Sequence, residues 1–418
     1  MKVNLFMNLE YKSHNYSFYA IAIFAVLRPI FTLSFAAELE IFGLNLLKLF
    51  GITFSYIFIL ISLLNLKKFR LDILTLTILL FSLYCGLSII WGSKIEYASE
   101  LILPFTIFFA IYLTQENEKQ ILALILLALI GYIIPVLGSG YLILMGKTIS
   151  RSIYWTNLDR FTGLYLKVHT LAHAMFLYVI CLAIYAYLNK NLIVNKRKLI
   201  WLFFFIGIIA TYCIYKSATR TVYVGLFTFG MIFLYGRRQF LLLSIVTILA
   251  ILIVLTSTKF KTIFFDVYDY IYGYVPIETV GSGRIGMWKQ SFTEFEKFPF
   301  ENKILGSGLG NELNKRVHLI GSSHNDFLSI MITLGIIGCF LYFTILLFTI
   351  YSIYVSELKS ELKFIYLGFT ISVLLMNLLS NSYLSRFELG QSFFFIIGTF
   401  YALKNGSAEV GSKALILN

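Results

Sequence analysis

The residues best suited to chemistry are a few cations and one histidine, each set in a short polar run. Arg220 lies in Lys216-Ser217-Ala218-Thr219-Arg220-Thr221, between two apolar stretches. Arg284 lies in Gly281-Ser282-Gly283-Arg284-Ile285-Gly286, and His324 in Ser322-Ser323-His324-Asn325-Asp326. Arg160 precedes Phe161-Thr162-Gly163. Guanidinium forks bind phosphate oxygens bidentately. A histidine titrating near neutrality can take a proton from a hydroxyl. Arg220, Arg284 and His324, with Lys216 and Arg160 as further diphosphate ligands, therefore suit a diphosphate and a hydroxyl that reacts beside it.

Each candidate has a plainer alternative. Lys216 can snorkel toward lipid phosphate. If the turn is helical, a spacing of four sets Lys216 and Arg220 on one face. The Gly281–Gly286 run matches GxGxxG, but no strand precedes it and no βαβ unit surrounds it, so it is not a dinucleotide fingerprint. It and the run from Gly306 to Gly310 read as flexible turns whose N–H groups can cradle an anion. Ser323 and Asp326 have capping-box spacing, which predicts a helix starting at His324 with a dipole that favours phosphate. Gly335, eleven residues on, then shares a face with His324 and permits close helix approach. The alternative for His324 is a helix-start residue satisfied by local hydrogen bonds. His169 and His173 are four apart but lack a third ligand, so no metal and no other cofactor are expected. Arg28-Pro29 is expected to kink the first apolar helix and turn a cation outward.

The elements that must position these residues are membrane helices. The chain has 418 residues, 59% of them hydrophobic and only 13% charged. Its mean hydropathy is +0.83. A soluble protein carries about a quarter charged residues, so lipid is the solvent here. Apolar runs predict twelve spans, at 17–37, 41–65, 71–92, 97–114, 120–138, 169–189, 199–215, 221–236, 239–256, 326–355, 361–379 and 388–404. The expected fold is an all-α integral membrane protein with a partly helical loop between helices nine and ten. Its organisation is helices one to nine over 1–256, the loop over 257–325, and helices ten to twelve with a tail over 326–418.

Charge gives the orientation. Lys67, Lys68, Arg70, Lys190, Lys196, Arg197, Lys198, Arg237, Arg238, Lys359 and Lys363 all follow even-numbered spans. The positive-inside rule makes that face cytoplasmic and places both termini there. The net charge of +13 thus speaks for membrane orientation and against nucleic acid. Segments 139–168 and 257–325 fall outside. The second mixes eight basic with seven acidic residues from Lys259 to Arg316. Its stretch Arg284–Phe298 has apolar Ile285, Trp288, Phe292 and Phe295 at helical spacing, which predicts an amphipathic helix at the membrane surface. Cys85, Cys181, Cys213 and Cys339 lie in apolar runs and read as small core residues.

The sequence resembles the O-antigen ligase and O-antigen polymerase superfamily of bacterial membrane glycosyltransferases. Three segments carry the resemblance: Thr219-Arg220-Thr221 opening a span, Gly283-Arg284-Ile285-Gly286-Met287-Trp288 followed by Leu305–Gly310, and His324-Asn325-Asp326-Phe327-Leu328 running to Gly335. The match covers mainly residues 200–345. Arg160-Phe161-Thr162-Gly163 resembles a further family element, though Leu164-Tyr165-Leu166-Lys167 replaces the Asn-Pro or His-Pro pair often found after it. The resemblance implies inverting, metal-independent glycosyl transfer from an undecaprenyl-diphosphate-linked oligosaccharide at the periplasmic face of the bacterial inner membrane. It assigns Arg220 and Arg284 to the diphosphate and makes His324 the base.

Three activities fit that family, and a protein O-glycosyltransferase is the smallest option of the three. A polymerase extends the chain onto a lipid-linked repeat unit and is expected to work with a chain-length regulator. A ligase moves the glycan to lipid A-core. The Leu305–Gly310 stretch, the Ser-Ser-His-Asn-Asp helix start and the Phe and Tyr content favour a polymerase. A multi-span transporter or flippase is the alternative of another class. Against it, the connection after span six is short and no half-repeat is evident.

Overall fold

The computed structural model describes residues 16–41, 43–115, 117–147, 160–191, 197–309, 324–380, 383, 384 and 386–416. Each of the twelve predicted runs contains a helix. Among the described residues, eight helical stretches are long and apolar enough to cross a bilayer, and Tyr16–Ile30, Arg220–Gly236 and Phe240–Ile253 are shorter apolar helices. The last run lies in the helix Phe387–Ile416. Among the described residues the only sheet is a hairpin of Glu40–Ile41 with Leu44–Asn45. The chain is an all-α, multi-pass membrane protein.

Close helix approach and polar pairs fix the packing around the later helices. Arg220–Gly236 lies against Ser360–Leu379. Gly225 permits this, since a Cβ there would come within 2.8 Å of the Met376 sulfur. Ser372 Oγ donates to the Gly225 carbonyl at 2.8 Å across the same seam. Small residues and hydroxyls are the usual glue where lipid removes any hydrophobic gain from helix pairing. Asn377 donates to the Tyr342 hydroxyl at 2.7 Å and accepts from the Tyr383 N–H at 3.1 Å. That side chain therefore ties Tyr383 to the helices that carry Tyr342 and Asn377.

Several expectations are corrected. The helix predicted to start at His324 is Asp326–Tyr354, and its cap is Asn325, whose side chain accepts from the Leu328 N–H at 3.0 Å. Ser323 lies outside the described residues. Gly335 does not continue the helix past a shared face with His324. It breaks it, at φ 69° and ψ −171°. Only a residue without Cβ adopts that backbone readily. The break receives the Gly306 run, which is docked rather than flexible as far as it is described. Ser307 and Gly308 N–H groups donate to Ile332 and Thr333 carbonyls at 3.1 and 3.0 Å. Tyr84 and Trp91 then hold the Leu305 carbonyl, each at 3.1 Å. Gly310 lies outside the described residues.

The amphipathic loop helix exists as Arg284–Glu296. Its apolar face packs on protein instead of membrane surface. Phe295 and Phe298 bury against Leu328 and Ile332, with Trp288 alongside, while Phe292 stays exposed. The Lys216–Arg220 turn is not helical. One helix ends at Ser217, Ala218 takes φ 51°, and the next begins at Arg220. Arg28 does not point outward. It is 2% exposed, between the Phe50 and Phe387 rings. The helix Glu118–Leu144 runs past 139, so the first outer connection is shorter than expected, and 148–159 lie outside the described residues.

Candidate active site

Helix direction decides what meets at this end of the bundle. Arg220 begins a helix that ends before Arg237, and His169 lies in the first turn of one that ends beyond Lys190. Ser217, Leu379 and Asp326 mark helix ends or starts at the same level. The candidate residues therefore collect opposite the basic loops.

Arg160 is held by the turn between Ser217 and Arg220. Its Nε donates to the Ser217 carbonyl at 3.1 Å, and Nη2 to the Ala218 carbonyl and Thr219 Oγ1, both at 3.3 Å. Those carbonyls end the helix Arg197–Ser217, where the dipole favours a cation. Thr219 and Ser217 are fully buried, and their hydroxyls bond each other at 3.1 Å. The turn is thus a fixed cradle for the guanidinium.

Arg284 is held in the same manner by another helix end. Its Nη1 donates to the Leu379 carbonyl at 2.6 Å. Arg220 differs. Its Nη1 bonds both oxygens of Asp266, at 2.8 and 2.7 Å, and its guanidinium lies 5.4 Å from the Phe264 ring centre.

These three arginines line one cavity of about 460 Å³. His169, Asp266, Glu278 and the Gly281-Ser282-Gly283 turn also line it. Burial, then the neighbouring arginines, push Arg160 and Arg284 down to about 10. Both stay charged at neutral pH, and their mutual repulsion is what a bound anion would relieve. The volume falls in the range of small-ligand sites.

His324 and Lys216 are not on the cavity wall. His324 lies in the field of Arg284 and Arg386. Burial first, then those two cations, lower its pKa, so its ring is neutral at pH 7. A neutral ring is the form able to accept a proton. Lys216 Nζ sits 5.6 Å from the Tyr212 ring centre. Among the described residues no three His, Cys, Asp or Glu side chains form a metal-binding group.

Residues 205–343 match the O-antigen ligase family. The match supports the resemblance to the O-antigen ligase and polymerase superfamily over that segment. It contains Arg220, Asp266, Arg284, His324 and Gly335, and leaves Arg160, His169 and Arg386 outside. No curated protein matches the chain.

Asp266 and Arg386 were not singled out from sequence. Arg386 carried a usable signal, since it is a cation on the face that the positive-inside rule leaves poor in basic residues. It donates to Thr170 Oγ1 at 3.2 Å, one residue from His169. Asp266 had no such mark, because nothing local separates it from Asp269.

Proposed function

We propose that the protein is an inverting, metal-independent glycosyltransferase acting on an undecaprenyl-diphosphate-linked glycan, and that it extends this glycan as a repeat-unit polymerase. The observation that carries this reading is the convergence of Arg160, Arg220 and Arg284 on one cavity. Three arginines against two carboxylates, Asp266 and Glu278, leave a positive excess that suits a dianionic diphosphate. In the reaction, an acceptor hydroxyl attacks the anomeric carbon and gives its proton to His324. The bond from that carbon to the diphosphate oxygen breaks, and the arginines stabilise the charge growing on the leaving group. A single displacement inverts the anomeric centre. The basic loops at the opposite ends of the helices support a site that faces the periplasm, in the bacterial inner membrane.

Ligation to lipid A-core is the second reading, favoured by the description of the matched family as O-antigen ligase. Both use a lipid-linked donor, and they differ in acceptor. Deletion followed by a lipopolysaccharide gel separates them. Loss of a polymerase leaves core capped by one repeat, whereas loss of a ligase leaves bare core and polymer stranded on the lipid carrier. Intact ladders would contradict both. Transport into proteoliposomes without any covalent product would instead support a transporter.

A further inference from the structure

Asp266 is 2% exposed and lies in the short outer helix Phe265–Ile271. Its carboxylate takes four hydrogen bonds. Two come from Arg220 Nη1. One comes from the Val267 N–H at 3.0 Å, and one from the Ser282 N–H at 2.6 Å. The last belongs to a turn in which Gly281, Ser282 and Gly283 take φ of 72°, 62° and 78°. Ser282 has a Cβ and disfavours that region, so the turn is held there by its contacts. Arg284 follows directly. One carboxylate therefore ties together the start of a membrane helix, the outer helix and the turn that launches Arg284.

Arg160 and Arg284 are held differently. Among the described residues neither has a carboxylate within ion-pair distance, and both rest on carbonyls. The Asp266 bonds also use a single nitrogen of Arg220. Among the described residues no bond engages its Nε or Nη2, which keep their donors for an anion.

We propose that Asp266 is a positioning residue, which fixes the Arg220 guanidinium at the cavity and sets the Gly281–Gly283 turn so that Arg284 reaches the same anion. This rests on the reading of the cavity as a diphosphate site. Asp266 touches neither donor nor acceptor. It acts through Arg220 first and the turn second.

The test is a thermodynamic cycle read by binding of geranylgeranyl diphosphate to the full-length protein in detergent. Asp266→Ala is expected to weaken binding at least about tenfold, with Asp266→Glu recovering most of it. In the Arg220→Ala background the same substitution should cost clearly less, so that the double variant loses less than the product of the single losses. Should Asp266→Ala fail to fold, Asp266→Asn retains the shape and an acceptor for the Ser282 N–H, and should also bind more weakly. Unchanged or tighter binding by Asp266→Asn would overturn the proposal, since it would make the carboxylate a competitor of the ligand. So would independent effects of Asp266→Ala and Arg220→Ala. If Arg220→Ala and Arg284→Ala bind as well as the parent protein, the diphosphate site itself fails and the proposal falls with it. If those two lose affinity and the Asp266 variants do not, only the positioning role fails.

Discussion

Arg284 and Asn325 donate to adjacent carbonyls, those of Leu379 and Leu378, at 2.6 and 2.8 Å. Arg284 opens the helix Arg284–Glu296, and Asn325 caps the helix that His324 precedes. A single helix end thus holds the proposed diphosphate ligand beside the proposed base. The helix that carries this carbonyl pair, Ser360–Leu379, packs against Arg220–Gly236, Asp326–Tyr354 and Val168–Asn191.

Arg284→Ala and Arg220→Ala are expected to lower transfer by about a hundredfold or more, the usual effect of removing one preorganised donor to a charged transition state. The lysine variants should recover only part, because an ammonium lacks the planar fork. Turnover assays on purified protein, with expression checked by gel filtration, measure this. Parent-like turnover in either alanine variant would refute the diphosphate roles.

The pH profile follows from the lowered pKa of His324. The base form is present above that value and is lost as pH falls through it. The acid limb of kcat/KM should therefore lie below 6.5, the ordinary histidine value. His324→Ala should remove the limb along with the activity. A limb at or above 6.5, set by this residue, would contradict the burial and cation effects described for it.

Gly335→Ala should destabilise the protein rather than disturb its chemistry alone. The backbone has φ 69°, and an added Cβ would run into the Ile304 carbonyl. The backbone conformation alone costs about 1–3 kcal/mol for a residue with a side chain. A fall in thermal midpoint in detergent, with faster proteolysis after Leu305, is the expected outcome. An unchanged midpoint would mean that the docked turn contributes little.

Removal of divalent metal is expected to leave transfer unchanged, since the arginines supply the charge that a metal would. Turnover in excess chelator, followed by metal addition, checks this. Inhibition that added metal reverses would reveal a site that the arginines do not replace.

Much of this was legible in the sequence because topology is coarse. Apolar length gives the spans, and the charge of short loops gives their direction. Direction alone places Arg160, Arg220, Arg284 and His324 at one end. What the sequence hid depends on long-range partners. The break at Gly335 exists because Ile304 to Gly308 docks into it, which no helical periodicity near 335 reveals. Phe295 and Phe298 show amphipathicity, but not whether lipid or Leu328 covers them. Asp266 becomes distinct from Asp269 only when Arg220, 46 residues away, reaches it.

The most direct test of the central claim is binding of an isoprenyl diphosphate, compared with the matching isoprenyl alcohol, to parent protein and to Arg160→Ala, Arg220→Ala and Arg284→Ala. The account predicts saturable binding of the diphosphate, much weaker binding of the alcohol, and at least about tenfold loss in each variant. Equal affinity for diphosphate and alcohol, or affinity unmoved by all three substitutions, would contradict it.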